Sequence, residues 1–207
     1  MSLKFRDYIG GINAGESILV EHTSTSPYPL LFYEIGRSRG WENLLIIDLL
    51  DSALPILRWL KFAGLDVSLD KLDRIKAGGT SEWGNKIAEV DPHKDPGIFM
   101  NRFLKVLVDY YKTHKNVTTI IVNPERLVPL HENRASFVLY VSLIRSELLG
   151  NPSRVLFDFS NFELAHSGYL ALLKEIATRV FRIEEGGKLT LMKSIDPEED
   201  GTLLEPW

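Results

Sequence analysis

His22, Asp48, Asp51, Asn123, Glu125 and Asp158 are the residues of this chain best placed to do chemistry. Each stands at or just past the end of a short apolar run, and parallel α/β sheets gather ligands outside the carboxyl ends of their strands. One imidazole with several carboxylates is a donor set for a divalent cation or for acid–base hydrolysis. The spacing carries neither reading far. HExxH, paired histidines and G-x-S-x-G are all absent, and charged residues also end strands because strand ends meet water. No metal site and no catalytic residue is assigned. Ser24, Thr25 and Ser26 offer hydroxyls and amides to a small anion at a helix start, a weak site without a lysine.

The elements that position these residues follow from hydrophobic period. Glycines 10, 11 and 15 turn the chain into SILV, an apolar run that fits a buried strand at Ser17–Glu21. HTSTSPYP follows, and then LLFYEIGRSRG, a helix pattern with Gly40 as its stop. NLLIIDLLDS gives a second buried strand ending near Asp48. Ser52 is the expected N-cap of the next helix, whose Ala53, Ile56, Leu57 and Leu60 share a face. Residues 65–95 contain two short strand candidates, Arg74–Lys76 and Lys86–Val90, around a glycine-containing turn. Asp95 and Pro96 open a strong helix lined by Phe99, Phe103, Val106, Leu107 and Tyr110. NVTTIIVNP is the clearest strand. A helix is expected over 132–149, with Phe137, Val141, Ile144 and Leu148 on one face. RVLFDFS is another strand, Ser167 caps a short helix, and RVFRIEE-GG-KLTLMKS reads as a hairpin. Alternating strands and helices predict an α/β fold: a three-layer α/β/α domain with a mainly parallel central sheet and a C-terminal β-hairpin. The core domain spans 1–195. Residues 196–207, with five acids and no base, form an acidic-hydrophobic C-terminal tail.

On GGINAGESILV the chain resembles the opening of RecA/KaiC-type P-loop ATPase domains, and its closing RVFRIEEGGKLTLMKSIDPEEDG is similar to their end. The resemblance implies the RecA-like fold and a Walker A loop, G-x-x-x-x-G-K-[ST], after the first strand. Laid over that loop, the glycines fall on His22 and Pro27, the lysine on Tyr28 and the magnesium-binding hydroxyl on Pro29. Such a loop works by pointing backbone N–H groups at phosphates, with lysine reaching the terminal ones. Proline has no N–H to give, and tyrosine carries no positive charge. The Walker B aspartate position holds Asn123, and the catalytic acid pair falls on Leu50 and Asp51, with Asp48 in play if the register slips. Walker A, Walker B and the catalytic acid fail together. The chain thus resembles small archaeal families of unknown function that keep a KaiC-like frame without a working Walker A.

Composition bounds the rest. With 207 residues, 44% hydrophobic and 25% charged, the chain is expected to be a globular domain. No apolar run reaches the roughly 18 residues of a membrane span, and the start lacks a signal-peptide core, so a cytoplasmic location is expected. Cysteine and glutamine are both absent, which leans toward a thermophilic source. At a net charge of −4, binding to nucleic acid is not expected, although Arg37, Arg39, Lys71, Arg74 and Lys76 could form a local basic patch. His93, His114, His131 and His166 read as capping or surface residues, and Trp41, Trp59 and Trp83 as packing. The leading expectation is a non-catalytic domain, without cofactor, that binds a protein or peptide. His22, Thr23, Ser24, Thr25, Ser26, Pro27, Tyr28, Pro29 and Phe32 would form its groove. Self-association is implied by the resemblance, and Leu203, Leu204 and Trp207 are candidates for an inserted segment. The alternative is a residual nucleotide or phosphate binder, or a weak ATPase with a divergent loop, using Ser24–Ser26 and Asp48 or Asp51. A third reading is a DNA-associated accessory domain.

Overall fold

The computed structural model describes residues 3–130 and 150–207. The helix expected over 132–149, with His131, lies outside the described residues. Ten strands among the described residues build one sheet. They are β1 (Leu3–Lys4), β2 (Ser17–His22), β3 (Leu44–Leu49), β4 (Asp73–Ala77), β5 (Asn85–Val90), β6 (Val117–Val122), β7 (Arg154–Asn161), β8 (Arg179–Ile183), β9 (Leu189–Lys193) and β10 (Leu203–Glu205). Their order across the sheet is β1-β10-β9-β8-β2-β7-β6-β3-β4-β5. All pairs are parallel except β8–β9 and β9–β10, so the expected C-terminal hairpin is present.

Five helices are described: α1 (Phe5–Gly10), α2 (Tyr28–Arg39), α3 (Ala53–Phe62), α4 (Pro96–Thr113) and α5 (Ser167–Ile176). Strand residues alternate between the two faces, as a period of two requires. Ile18, Val20, Ile46, Ile120 and Phe157 join α1, α2 and α3 in one core. Leu45, Ile47 and Ile121 face Phe99, Phe103 and Leu107 of α4, while Leu19 and Val180 meet Tyr169 and Leu173 of α5. The molecule is the three-layer α/β/α arrangement that the alternating pattern predicts.

Local signals hold with two corrections at helix starts. Gly40 ends α2 at φ +85, and the Asp95 side chain accepts the Gly97 N–H at 2.9 Å with Pro96 in the first turn. Ser52 does not cap α3. Its hydroxyl donates to the Leu49 carbonyl, and the Ala53 N–H is taken at 3.0 Å by Asp48, five residues back. For α5 the cap is His166 rather than Ser167: its Nδ1 accepts the Gly168 N–H at 3.2 Å.

The segment read as strand, turn, strand is more unusual. β4 and β5 lie parallel, joined by residues 78–84 where parallel pairs ordinarily need a dozen or so. Left-handed glycines at 78, 79 and 84 make the short return feasible. The acidic tail is drawn into the sheet at the other edge, where β10 pairs with both β9 and β1 and Leu204 is buried in the main core.

Candidate functional site

The carboxyl ends of β2, β6, β7 and β8 meet in one place, and the positions where phosphate chemistry is missing come together there. His22, at the end of β2, is buried, and the Tyr28 ring stacks on it with centroids 3.8 Å apart and planes 17° from parallel. His22 Nε2 lies 2.8 Å from Asn123 Oδ1, and Nδ1 lies 3.0 Å from the Thr23 carbonyl. The Walker A glycine, Walker A lysine and Walker B positions thus form a single packed cluster. Burial pushes the His22 pKa below its ordinary value, against the two facing oxygens that favour the cation, and burial raises that of Tyr28. Asn123 sits at φ +50, a left-handed conformation that asparagine tolerates better than most residues.

The loop between His22 and α2 has little left to offer an anion. Thr23 and Ser26 bond reciprocally, Thr23 N–H to Ser26 Oγ at 3.2 Å and Ser26 N–H to Thr23 Oγ1 at 2.9 Å. Ser24 donates its N–H at 2.8 Å and its hydroxyl at 2.6 Å to one oxygen of Glu163. Thr25 donates to Glu185 at 2.6 Å. Pro27 and Pro29 have no N–H. A protein carboxylate therefore occupies the role a phosphate oxygen plays in a working loop. The Ser24 hydroxyl and then its amide hold the Glu163 carboxyl below the usual range, so it stays charged. Two carboxylates over the loop repel a polyphosphate, and Tyr28, at the position the resemblance gives to lysine, brings no positive charge. The residues present do not fit a nucleotide.

The remaining candidates have structural work. Asp48, fully buried, takes the Ala53 N–H and lies 3.4 Å from Arg74 Nη1, and its carboxyl is raised by burial against the pull of those two partners. Asp51, itself left-handed at φ +58, accepts the Thr80 N–H at 2.7 Å and both the N–H and hydroxyl of Ser81. Burial raises its pKa, but the Ser81 and Thr80 hydrogen bonds outweigh it and hold it low. Arg74 and Lys76 are not a basic patch: both are buried and pair with Glu82. Phe32 and Pro29 are buried too, while Pro27 and Tyr28 are half-buried and Ser24 and Thr25 exposed. Glu125 is buried, accepts the Asn161 N–H at 3.3 Å, and has its pKa pushed up to about 8, chiefly by burial with Asp158 adding to it. Among the described residues no group of three or more histidines and acids is placed to hold a metal, and no helix is long and apolar enough to cross a membrane.

A concave surface lies elsewhere. A cavity of about 550 Å³ opens between α3 and the segments at 64–69 and 82–83, lined by Leu54, Leu57, Arg58, Lys61, Leu65 and Trp83. Trp59 and Phe62, also on α3 but outside that lining, are exposed, the latter at 85%. Sequence reasoning counted Trp59 and Trp83 as packing and passed over Phe62. The only signal was Pro55, Trp59 and Phe62 at i, i+4 and i+7, an apolar stripe beside the core face. Glu163 and Glu185 were also missed, since nothing near them in the chain points to the loop they meet.

A family model described as a Pyrococcus protein of unknown function, DUF257, matches residues 7–205. The chain is similar to the structure of PH0250 from Pyrococcus horikoshii OT3, at 24% identity and a TM-score of 0.81, with 99% of this chain and 98% of that one covered. It is similar to the KaiC-like protein PH0186 of the same organism, at 13% identity and TM-score 0.63, covering 98% and 90%. PH0321 of Pyrococcus horikoshii, solved in complex with an unknown peptide, matches at 15% identity and TM-score 0.52, covering 94% and 92%. No curated protein matches the sequence. The fold is that of the RecA/KaiC-like P-loop ATPases.

Proposed function

The chain belongs to the DUF257 family of Pyrococcus proteins, and on that footing we propose that it is a non-catalytic RecA/KaiC-like domain that binds a segment of another protein. The observation that carries this reading is the closed loop, where His22, Tyr28 and Asn123 pack together and Glu163 takes the Ser24 N–H. A loop that gives the Thr23, Ser24 and Ser26 N–H groups to its own side chains and to Glu163 has little left for phosphates. What remains is a surface suited to contact.

The docking surface is the α3 groove rather than the loop. Large exposed aromatic side chains beside an apolar cavity are the usual anchors of a protein contact. Arg58 and Lys61 line the same cavity, and Glu82 on its far wall is already paired with Arg74, Lys76 and Lys86. Asp66 also lines the cavity, so the two cations on α3 face one wall and the acids lie on the other; a partner segment that sets acidic residues against α3 beside apolar ones fits that arrangement. The peptide found on PH0321 supports the general mode, since that protein shares the fold.

The test is to select peptides from a displayed random library on the purified protein and to measure their affinity by fluorescence anisotropy. Selected peptides should be apolar and acidic. They should bind Phe62→Ser at least about tenfold more weakly, as loss of a central anchor does. Phe62 is exposed, so the substitution leaves the core alone. Peptides indifferent to Phe62 and Trp59 would overturn the proposal.

A further inference from the structure

A second cavity, of about 310 Å³, lies at the opposite edge of the sheet, by the amino ends of β6 and β7. Its polar lining is Ser38, Arg39, Asn43, Asn116, Thr118 and Arg154, and none of its described lining residues is acidic. That is the reverse of the loop edge, where Glu163 and Glu185 accept from Ser24 and Thr25. We propose that this cavity is a binding site for a small oxyanion, a phosphate or carboxylate group of a metabolite-sized ligand.

Arg39 would make the direct contact. As the last residue of α2 it reaches the Ile12 carbonyl at 3.4 and 3.5 Å and Thr118 Oγ1 at 3.4 Å, long for a charged donor whose usual distance is about 2.7–2.9 Å. Its fork is therefore only loosely satisfied. The carboxylate felt at Arg39 through space is Glu16, which is already bound to Arg179 at 2.8 Å. Arg154 is 3% exposed, and neither of its terminal nitrogens has a hydrogen-bond partner. Its guanidinium lies 4.9 Å from the Tyr111 ring centre. A buried, unpaired cation is costly, and an anion nearby offsets that cost. Arg154 thus contributes field from behind the wall, in a medium where charge acts strongly, while Arg39 supplies the hydrogen bonds. Burial lowers the pKa of both arginines, consistent with two cations short of a counter-charge. Asn116 adds a neutral amide to the lining, while Asn43 Nδ2 donates to the Arg39 carbonyl at 2.9 Å and so braces the end of α2, and the volume suits a small ligand.

The experiment is calorimetric titration with inorganic phosphate and, separately, succinate, each against sodium chloride at matched ionic strength. One saturable site should appear for at least one of the two, and which one identifies the oxyanion class. Arg39→Ala should weaken it roughly tenfold or more, the loss expected of a charge-assisted contact. Arg39→Lys keeps the charge without the fork and should fall between; it decides the matter if the alanine variant fails to fold. No saturable heat with either anion, or equal affinity in the arginine variants, would overturn the proposal as an adventitious ion only.

Discussion

Tyr28 stands where a working loop would carry its lysine, and its ring lies flat on His22. Truncating it to alanine removes an aromatic stack and part of the main core, so Tyr28→Ala should cost about 2 kcal/mol in urea unfolding. It should also let the His22 imidazole, followed by NMR, rise toward its ordinary value of 6.5 as water reaches the ring. An unchanged titration would mean that the stack does not bury His22. Glu125 gives a pH prediction with a definite sign. Its carboxyl is protonated in the folded protein up to about pH 8. Unfolded, it ionises near its ordinary value, so between the two the folded state binds the extra proton and stability falls as pH rises. The slope approaches about 1.4 kcal/mol per pH unit from this group alone. Glu125→Gln should flatten denaturant midpoints measured from pH 5 to pH 8; an equally steep profile would show that Glu125 is ionised. At this scale the missing chemistry was legible in the sequence, because proline without an N–H and tyrosine without a charge are properties of single residues. The replacement was not legible. Ser24 and Glu163 are 139 residues apart and Thr25 and Glu185 are 160 apart, so no local pattern joins them.

At the scale of elements, the return from β4 to β5 is the least ordinary connection in the fold, and Asp51 is its clamp. The Asp51 carboxylate lies so close to Gly79 that any side chain there would collide with it. Asp51→Ala should cost about 0.5–1.5 kcal/mol by freeing the half-exposed Thr80 and Ser81 N–H groups to water. It should also speed hydrogen exchange at those amides, with little change at β2. Uniform exchange behaviour would place the clamp elsewhere. Most of the described strands and helices were readable from period, from Asp95–Pro96 and from Gly40, but α1, β1 and β10 were not. The parallel pairing of β4 with β5 was not, because a glycine turn between two short strands ordinarily signals an antiparallel pair. Nor was the pairing of residues 203–205 with β1, where two residues from the start of the chain meet the end of it.

Across the whole molecule, the two edges of the sheet have opposite character. Carboxylates close over the loop at the carboxyl edge, while two arginines line a cavity at the amino edge. The fold is RecA-like, and in the proposed function it serves as a scaffold for surfaces such as the exposed aromatics of α3. The central claim is that this frame does not use nucleotide. Isothermal calorimetry of the purified protein with ATP and magnesium tests it most directly. No saturable heat is expected up to millimolar nucleotide, for the wild type and for Ser24→Ala alike. Saturable, magnesium-dependent binding that Ser24→Ala weakens would contradict it, and the loop would then be a divergent phosphate site.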